Sequence, residues 1–240
     1  MSRPAVAASQ SLPFELVFED GIPMDDARHV IQLHLFRDLV RQVMTERGRR
    51  DYFASGNTFV YYSIEQAADV VKGRPYFRGP DFFLVDGVPH RPGRKGWVSW
   101  EEGGRLPDLI VEMLSPTTAH IDRRDKKDLY ARVFRTREYF LWDILSSGPP
   151  TLEGFRLAGN AYRPIRPDAQ GRLHSEVLGL DLDLWRGVCD DEEEEWVRFF
   201  YSDGRRVPTP EEAERQRAEV ERQRAEAAEA ELARLRALLG

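Results

Sequence analysis

The sequence contains one cysteine, Cys189. A single thiol excludes an internal disulfide framework and any cysteine-based zinc cluster, and it fits a reducing cytoplasm. No apolar run reaches the roughly 18 residues that a membrane-spanning helix needs, so no membrane span is expected. The amino-terminal stretch MSRPAVAASQSLPFELVFED has no basic head followed by a long apolar segment, and no signal peptide is read there. Positive charge is not in excess: 35 Lys and Arg stand against 41 Asp and Glu, a net charge of −6. That balance argues against a protein that coats nucleic acid by bulk electrostatics, while leaving room for an enzyme with a local basic groove. A P-loop, a dinucleotide fingerprint and a Gly-x-Ser-x-Gly elbow are all missing.

What is present is a chain of 240 residues with 41% hydrophobic content. This suits one good-sized domain with appendages, or two small ones. Residues 1–24 read as an irregular arm. From Asp25 to Arg47, Val30, Leu33, Leu35, Phe36, Leu39, Val40, Val43 and Met44 recur at helical spacing, with Asp25 or Asp26 as cap and Gly48 as terminator. The β-branched and aromatic run Thr58–Tyr62 predicts a strand, and Ser63 caps a short helix that stops near Gly73. Further strands are expected at Phe82–Val85, Trp97–Trp100, Leu109–Leu114 and Tyr139–Trp142, with a helix over Asp125–Phe134. Leu109–Leu114 is nearly all apolar, which predicts burial on both faces. Short strand-like pieces between 151 and 200 suggest a small β appendage, with the acidic run Asp190–Glu195 as a solvated turn. Thr209-Pro-Glu-Glu212 is a helix start with a capping box, and the helix should run to about Leu239. Its seven-residue repeat, AERQRAE then VERQRAE, has apolar columns two and five residues apart, which do not form one seam. Only Ala225, Ala228, Leu232, Leu235 and Leu239 keep the 3–4 spacing, so this tail is either a lone charged helix or a coiled coil through which the chain forms a homo-oligomer.

Glu112 stands inside the apolar strand, where an ionised carboxylate must be paired, hydrogen-bonded or metal-bound. The nearest Pro-Asp, Pro107-Asp108, lies on the same strand, and its backbone is roughly 13 Å from that of Glu112 at ~3.3 Å per residue. Two oxygens on one divalent ion each lie within about 2.0–2.6 Å of it, so Asp108 is read as a strand-start residue. Asp81, in Gly79-Pro-Asp81, opens a different strand, and neighbouring strands sit about 4.8 Å apart. If the two strands pair near these positions, the carboxylates of Asp81 and Glu112 converge. Two carboxylates with waters and the Met113 backbone carbonyl suit Mg²⁺. Such an ion activates water and stabilises charge on a phosphodiester. A helpful lysine is missing two residues on, where Leu114 stands. Lys126 shares a helix face with Leu129, Tyr130 and Val133 and is the candidate, while Lys127 is expected to turn outward. Glu112 as a hydrogen-bonded structural acid and Lys126 as an exposed lysine are the plain alternatives. His29, His34, His90 and His120 are read as surface, packing or loop residues, and Ser115–Thr118 as a structural turn. Glu101 and Glu102 are read as a hairpin surface. The basic stretches Arg47–Arg50 and Arg91–Lys95 are ordinary charged loops or phosphate-backbone contacts.

Asn57-Thr-Phe-Val-Tyr-Tyr-Ser63, Gly79-Pro-Asp81, Trp97–Trp100 with Glu101-Glu102, and Pro107–Ser115 together resemble the Uma-two type of restriction endonuclease. Asp122-Arg-Arg-Asp-Lys126 with Leu129-Tyr130 and Glu138-Tyr139-Phe140 adds to the resemblance, which covers roughly residues 25–185. That family belongs to the PD-(D/E)xK nuclease superfamily. The resemblance implies an α/β, restriction-endonuclease-like core, a mixed sheet flanked by helices. It also implies Asp81 and Glu112 as metal-binding acids and Lys126 as the lysine. The expected organisation is an arm over 1–24, a nuclease-like domain over 25–200 (core about 25–145, β appendage about 151–200), and a charged C-terminal helix over 209–240. The expected activity is Mg²⁺-dependent hydrolysis of DNA, the alternative being a catalytically inactive module of the same fold that binds nucleic acid or protein.

Overall fold

The computed structural model describes residues 12–18, 27–73, 79–114, 122–143 and 150–239. The first helix, α1 (Ala27–Glu46), ends at Gly48 with φ +65, the left-handed conformation that glycine adopts without steric penalty. Its expected caps, Asp25 and Asp26, lie outside the described residues, as does most of the 1–24 arm. The buried set of α1 includes not only the apolar stripe but also His29 and Gln32. The reason is that α1 is covered on two sides. Phe36 meets Phe82 of the main sheet at 5.0 Å and Phe199 of a smaller sheet at 6.0 Å between ring centroids. Gln32 donates to the Val197 carbonyl at 3.0 Å and accepts from its N–H at 2.9 Å, pairing with the backbone as a neighbouring strand would.

The main sheet has six strands: β1 (Tyr52–Ser55), β3 (Phe82–Asp86), β5 (Leu109–Leu114), β6 (Glu138–Asp143), β7 (Thr151–Ala158) and β8 (Ala161–Pro164), adjacent in that order. Only β5 and β6 run parallel, which makes the sheet mixed. A parallel pair needs a crossover. Here it carries the helical stretch α3, residues 122–134, wound in π form over Asp122–Lys126, α form over Lys127–Leu129 and π form again over Tyr130–Phe134. β5 is buried at every position, as its apolar run predicts. Side chains alternate between the two faces of a strand. Leu109, Val111 and Met113 pack in the cluster shared with α1, whereas Ile110 and Leu114 pack with Tyr130 and Phe134 of α3.

Several elements differ from the sequence reading. β1 is not foreseen by it: all four of its residues are half-buried, so no apolar alternation marks it. The Thr58–Tyr62 strand shrinks to β2 (Val60–Tyr61), paired in parallel with β4 (Trp97–Val98) in a separate two-stranded sheet and followed by the short helix α2 (Ile64–Val71), capped by Ser63. Ser99–Glu101 is a 3₁₀ turn rather than a continuation of β4. The β appendage expected over 151–200 is smaller, because β7 and β8 extend the main sheet. What stands apart is a three-stranded sheet of β9 (Leu173–Ser175), β10 (Leu180–Cys189) and β11 (Glu192–Phe200). The acidic run is mostly strand: only Asp190 and Asp191 form the turn, at φ +52 and +65. That two-residue hairpin needs left-handed positions, which Asp tolerates.

The C-terminal helix α4 (Pro210–Leu239) begins as predicted. Thr209 Oγ1 accepts from the Glu212 N–H at 3.1 Å, and the Glu212 carboxylate accepts from the Thr209 N–H at 2.7 Å. Glu212 also takes Arg198, a buried cation, at 2.6 Å, which fixes the helix start to β11. No helix among the described residues is long and apolar enough to cross a membrane.

Candidate active site

Strand alternation builds the site. Phe83 and Val85 of β3 face α3, so Asp81, two residues before Phe83, continues that face. On β5 the same face carries Ile110 and Leu114, and Glu112 lies between them. The antiparallel register pairs Phe82 with Val111. One step further sets Asp81 opposite Glu112. The backbone N–H of Asp81 donates to Glu112 Oε2 at 3.3 Å, and Asp81 Oδ2 accepts from the Met113 N–H at 2.7 Å. The two acids are thereby locked to each other's strand.

Glu112 is fully buried, and α3 supplies its partners. Lys126 Nζ donates to Oε2 at 3.1 Å, and the Tyr130 hydroxyl donates to Oε1 at 2.5 Å. Lys126 is itself 21% exposed, so the pair spans from the core to the edge of the fold. An unpaired carboxylate at such a depth is strongly unfavourable, and these donors offset that. Burial, and then the charge of Glu112, hold the Tyr130 phenol well above its ordinary pKa. Tyr130 therefore stays protonated and remains a donor.

The spacing that selects Lys126 assigns one neighbour incorrectly. Val133 is exposed and Phe134 is buried in its place. The π winding at this end takes more residues per turn, which moves the inner face one position on. Lys127 does not turn outward either. Its Nζ sits 3.2 Å from the centre of the Phe155 ring, and burial pushes its pKa down.

His29, read from the sequence as a surface or packing residue, is buried and enters here. It is 5% exposed, with Nε2 3.4 Å from the carbonyl oxygen of Met113. That carbonyl is the one expected as a metal ligand. A polar residue inside an otherwise apolar helix face is the only signal the sequence offers for it. Gly56 is a second unforeseen contributor. A Cβ there would stand 2.0 Å from the Asp81 carbonyl oxygen, and the Asn57 N–H donates to the same oxygen at 3.2 Å. Only glycine lets the β1–β2 turn come this close to Asp81.

Other candidates fall away from the site. Asp108 accepts from the Asp86 N–H at 2.9 Å and from Arg105 at 3.1 Å at the far end of β5. Glu102 is not a hairpin surface residue but pairs at 2.8 Å with Arg94, both side chains largely buried. Arg94 in turn lies over Phe53 and Trp97. Arg47 donates to the Leu178 carbonyl, and Arg49 pairs with Asp51 and Asp86. Arg49 and Arg94 are half-buried and hold the fold together, whereas Arg47, Arg50, Arg91 and Lys95 are exposed, Arg91 also reaching Glu102 at 3.5 Å. His34 and His90 are exposed, while His120 and Ser115–Thr118 lie outside the described residues.

The donor set can be tested against a metal. No group of three or more His, Cys, Asp or Glu side chains able to hold an ion occurs among the described residues. The side-chain donors are two carboxylates, with the Met113 carbonyl adjoining. Such hard oxygen donors, the ones found among the described residues, fit Mg²⁺, which retains several waters.

A family model described as "Putative restriction endonuclease", Uma2, matches residues 14–190. The chain belongs to the Uma2 family. Uma2 is part of the PD-(D/E)xK-like nuclease superfamily, and the six-stranded mixed sheet flanked by helices is consistent with a restriction-endonuclease-like fold. The Uma2 match takes in Asp81, Glu112, Met113, Lys126, His29 and Tyr130, and it stops at the β10–β11 turn, before α4. No curated protein gives a significant match to the chain.

Proposed function

We propose that this Uma2 protein is a Mg²⁺-dependent DNA endonuclease that hydrolyses phosphodiester bonds at Asp81, Glu112 and Lys126. The observation that carries the reading is the shared oxygen: Glu112 Oε2 accepts both from Lys126 Nζ and from the Asp81 N–H. Three residues from three separate elements meet on one carboxylate, in a chain whose family is of nuclease type.

Asp81 and Glu112, with the Met113 carbonyl, would hold the ion. A bound divalent cation supplies a nucleophilic water at neutral pH and neutralises charge on the phosphoryl oxygens. The protein residues do the positioning. Tyr130 fixes the Glu112 carboxylate from one side and Lys126 from the other. Lys126 also offsets phosphate charge and orients the attacking water by hydrogen bonding. The Met113 N–H fixes the Asp81 carboxylate, and His29 holds the Met113 carbonyl from the α1 side. We assign this activity to residues 25–200, with the helix over 209–240 as a separate element.

One observation favours a second reading, a non-catalytic module of the same fold. Glu112 is already neutralised by a lysine that stands on α3 and not two residues along β5. Incubation of purified protein with supercoiled DNA, linear DNA and RNA in Mg²⁺ or Mn²⁺ separates the two. Nicking or cutting of DNA, lost in Asp81→Ala and Glu112→Ala, supports the endonuclease. Clean binding without cleavage under every metal supports the module.

A further inference from the structure

α4 changes its surroundings half-way along. Its first turns are held to the body by Glu212, and the groove between α4 and α1 is lined from the α4 side by Gln216, Val220 and Arg224, opposite Gln42, Thr45 and Glu46. Beyond Arg224 the helix leaves that groove, and every described side chain over 214–238 is exposed. At 1.5 Å rise per residue, residues 224–239 reach about 24 Å past the body. Leu232 and Leu235 are each 50% exposed there. The heptad spacing starts where the groove ends: Ala225, Ala228, Leu232, Leu235 and Leu239 occupy successive a and d positions, which the AERQRAE repeat upstream does not provide.

We propose that residues 225–239 pair with the same segment of a second copy of this chain as a parallel two-stranded coiled coil. Charge selects both the partner and the direction. With Ala225 and Leu232 at a, Arg224 and Glu231 are g residues, and Glu229 and Arg236 are e residues. In a parallel pair each g residue faces the e residue five positions on in the other copy. Arg224 then meets Glu229, and Glu231 meets Arg236, so both rungs join opposite charges on each side of the two-fold axis. Of the two antiparallel registers, the one with layers 225/235 and 228/232 sets Glu229 beside Glu229 and Glu231 beside Glu231. The one with layers 232/235 and 228/239 keeps only the Glu229–Arg236 contact and leaves Glu231 beside Leu238, so the parallel pair joins more opposite charges than either. These groups are available: among the described residues Arg224, Glu229 and Arg236 make no ion pair, and Glu231 makes only a 3.9 Å contact with Arg234.

Sedimentation equilibrium on the full chain, over a wide concentration range, tests this without reference to catalysis. The expected species is a reversible dimer. Leu232→Glu with Leu235→Glu should weaken it by roughly tenfold or more while circular dichroism and the melting of the body are unchanged. Glu231→Arg alone should weaken the dimer, and Glu231→Arg with Arg236→Glu should restore it. A monomer at all concentrations overturns the proposal. So does a dimer that the leucine substitutions leave intact, or a double charge reversal that fails to restore pairing.

Discussion

Lys126 Nζ lies 3.1 Å from Oε2 of Glu112, joining the first turn of α3 to the middle of the most deeply buried strand. The lysine therefore has a structural and a chemical assignment at once, and the two separate experimentally. Lys126→Ala leaves Glu112 without its cation, and chemical denaturation should show a loss of about 1–3 kcal/mol, below the full value for a buried pair because Lys126 reaches water. Lys126→Arg keeps the charge and should recover most of that stability. Its cleavage rate should nonetheless stay about 10²-fold or more below wild type, because a planar guanidinium presents its donors differently from an ammonium.

Tyr130 predicts an alkaline signature. Its folded pKa is raised, chiefly by burial. A group shifted in this direction contributes stability that is fully present below its unfolded pKa, about 10, and lost as pH rises towards the folded value. The stability of wild type should therefore fall as pH climbs above about 10. Tyr130→Phe should be less stable at neutral pH by about 1–2 kcal/mol, from the lost bond to Glu112, and should show a shallower alkaline decline. Equal slopes for the two proteins would show that ionisation of Tyr130 does not drive the alkaline loss of stability.

His29 and the Met113 carbonyl predict a binding effect. His29→Ala should weaken Mn²⁺ binding, measured by calorimetry without nucleic acid, by roughly three- to tenfold, because the carbonyl loses the group that orients it. His29→Gln, which keeps a donor of similar reach, should fall between. Unchanged affinity in His29→Ala would make the residue a packing element only.

Gly56 and Asp108 form a contrasting pair. Gly56→Ala drives a Cβ into the Asp81 carbonyl at 2.0 Å and into Leu33 at 2.2 Å, so the turn or the strand start must move. Cleavage should drop at least about tenfold, with a stability loss of about 2 kcal/mol or more. Asp108→Asn, at the other end of β5, should lower stability by about 1 kcal/mol and leave cleavage within about twofold of wild type.

The parts of this arrangement legible in the sequence are those set by strict period. Glu112 interrupts an apolar strand, Asp81 opens another, and alternation puts both on one face. Register then needs only strand pairing, which the hydrophobic pattern fixes. Lys126 follows from helical spacing, but the same spacing misplaces Val133 and Lys127, because an α-helical period does not describe a π-wound segment. Tyr130 is visible as a core-facing residue, yet its hydroxyl's role depends on a carboxylate 18 residues away. His29 depends on a carbonyl 84 residues away, and no local pattern encodes such a contact. β1 and β2 are short edge pieces whose burial is set by tertiary neighbours and not by alternation. The joining of β7 and β8 to the main sheet is a long-range pairing choice of the same kind.

The proposed site requires Asp81, Glu112 and the Met113 carbonyl to bind one divalent ion beside Lys126. Anomalous diffraction from crystals soaked in Mn²⁺ tests it most directly. The expected peak lies within about 2.0–2.6 Å of both carboxylates and of the Met113 carbonyl oxygen, with Lys126 Nζ alongside. No peak there at saturating Mn²⁺, or one bound by other residues, would contradict it.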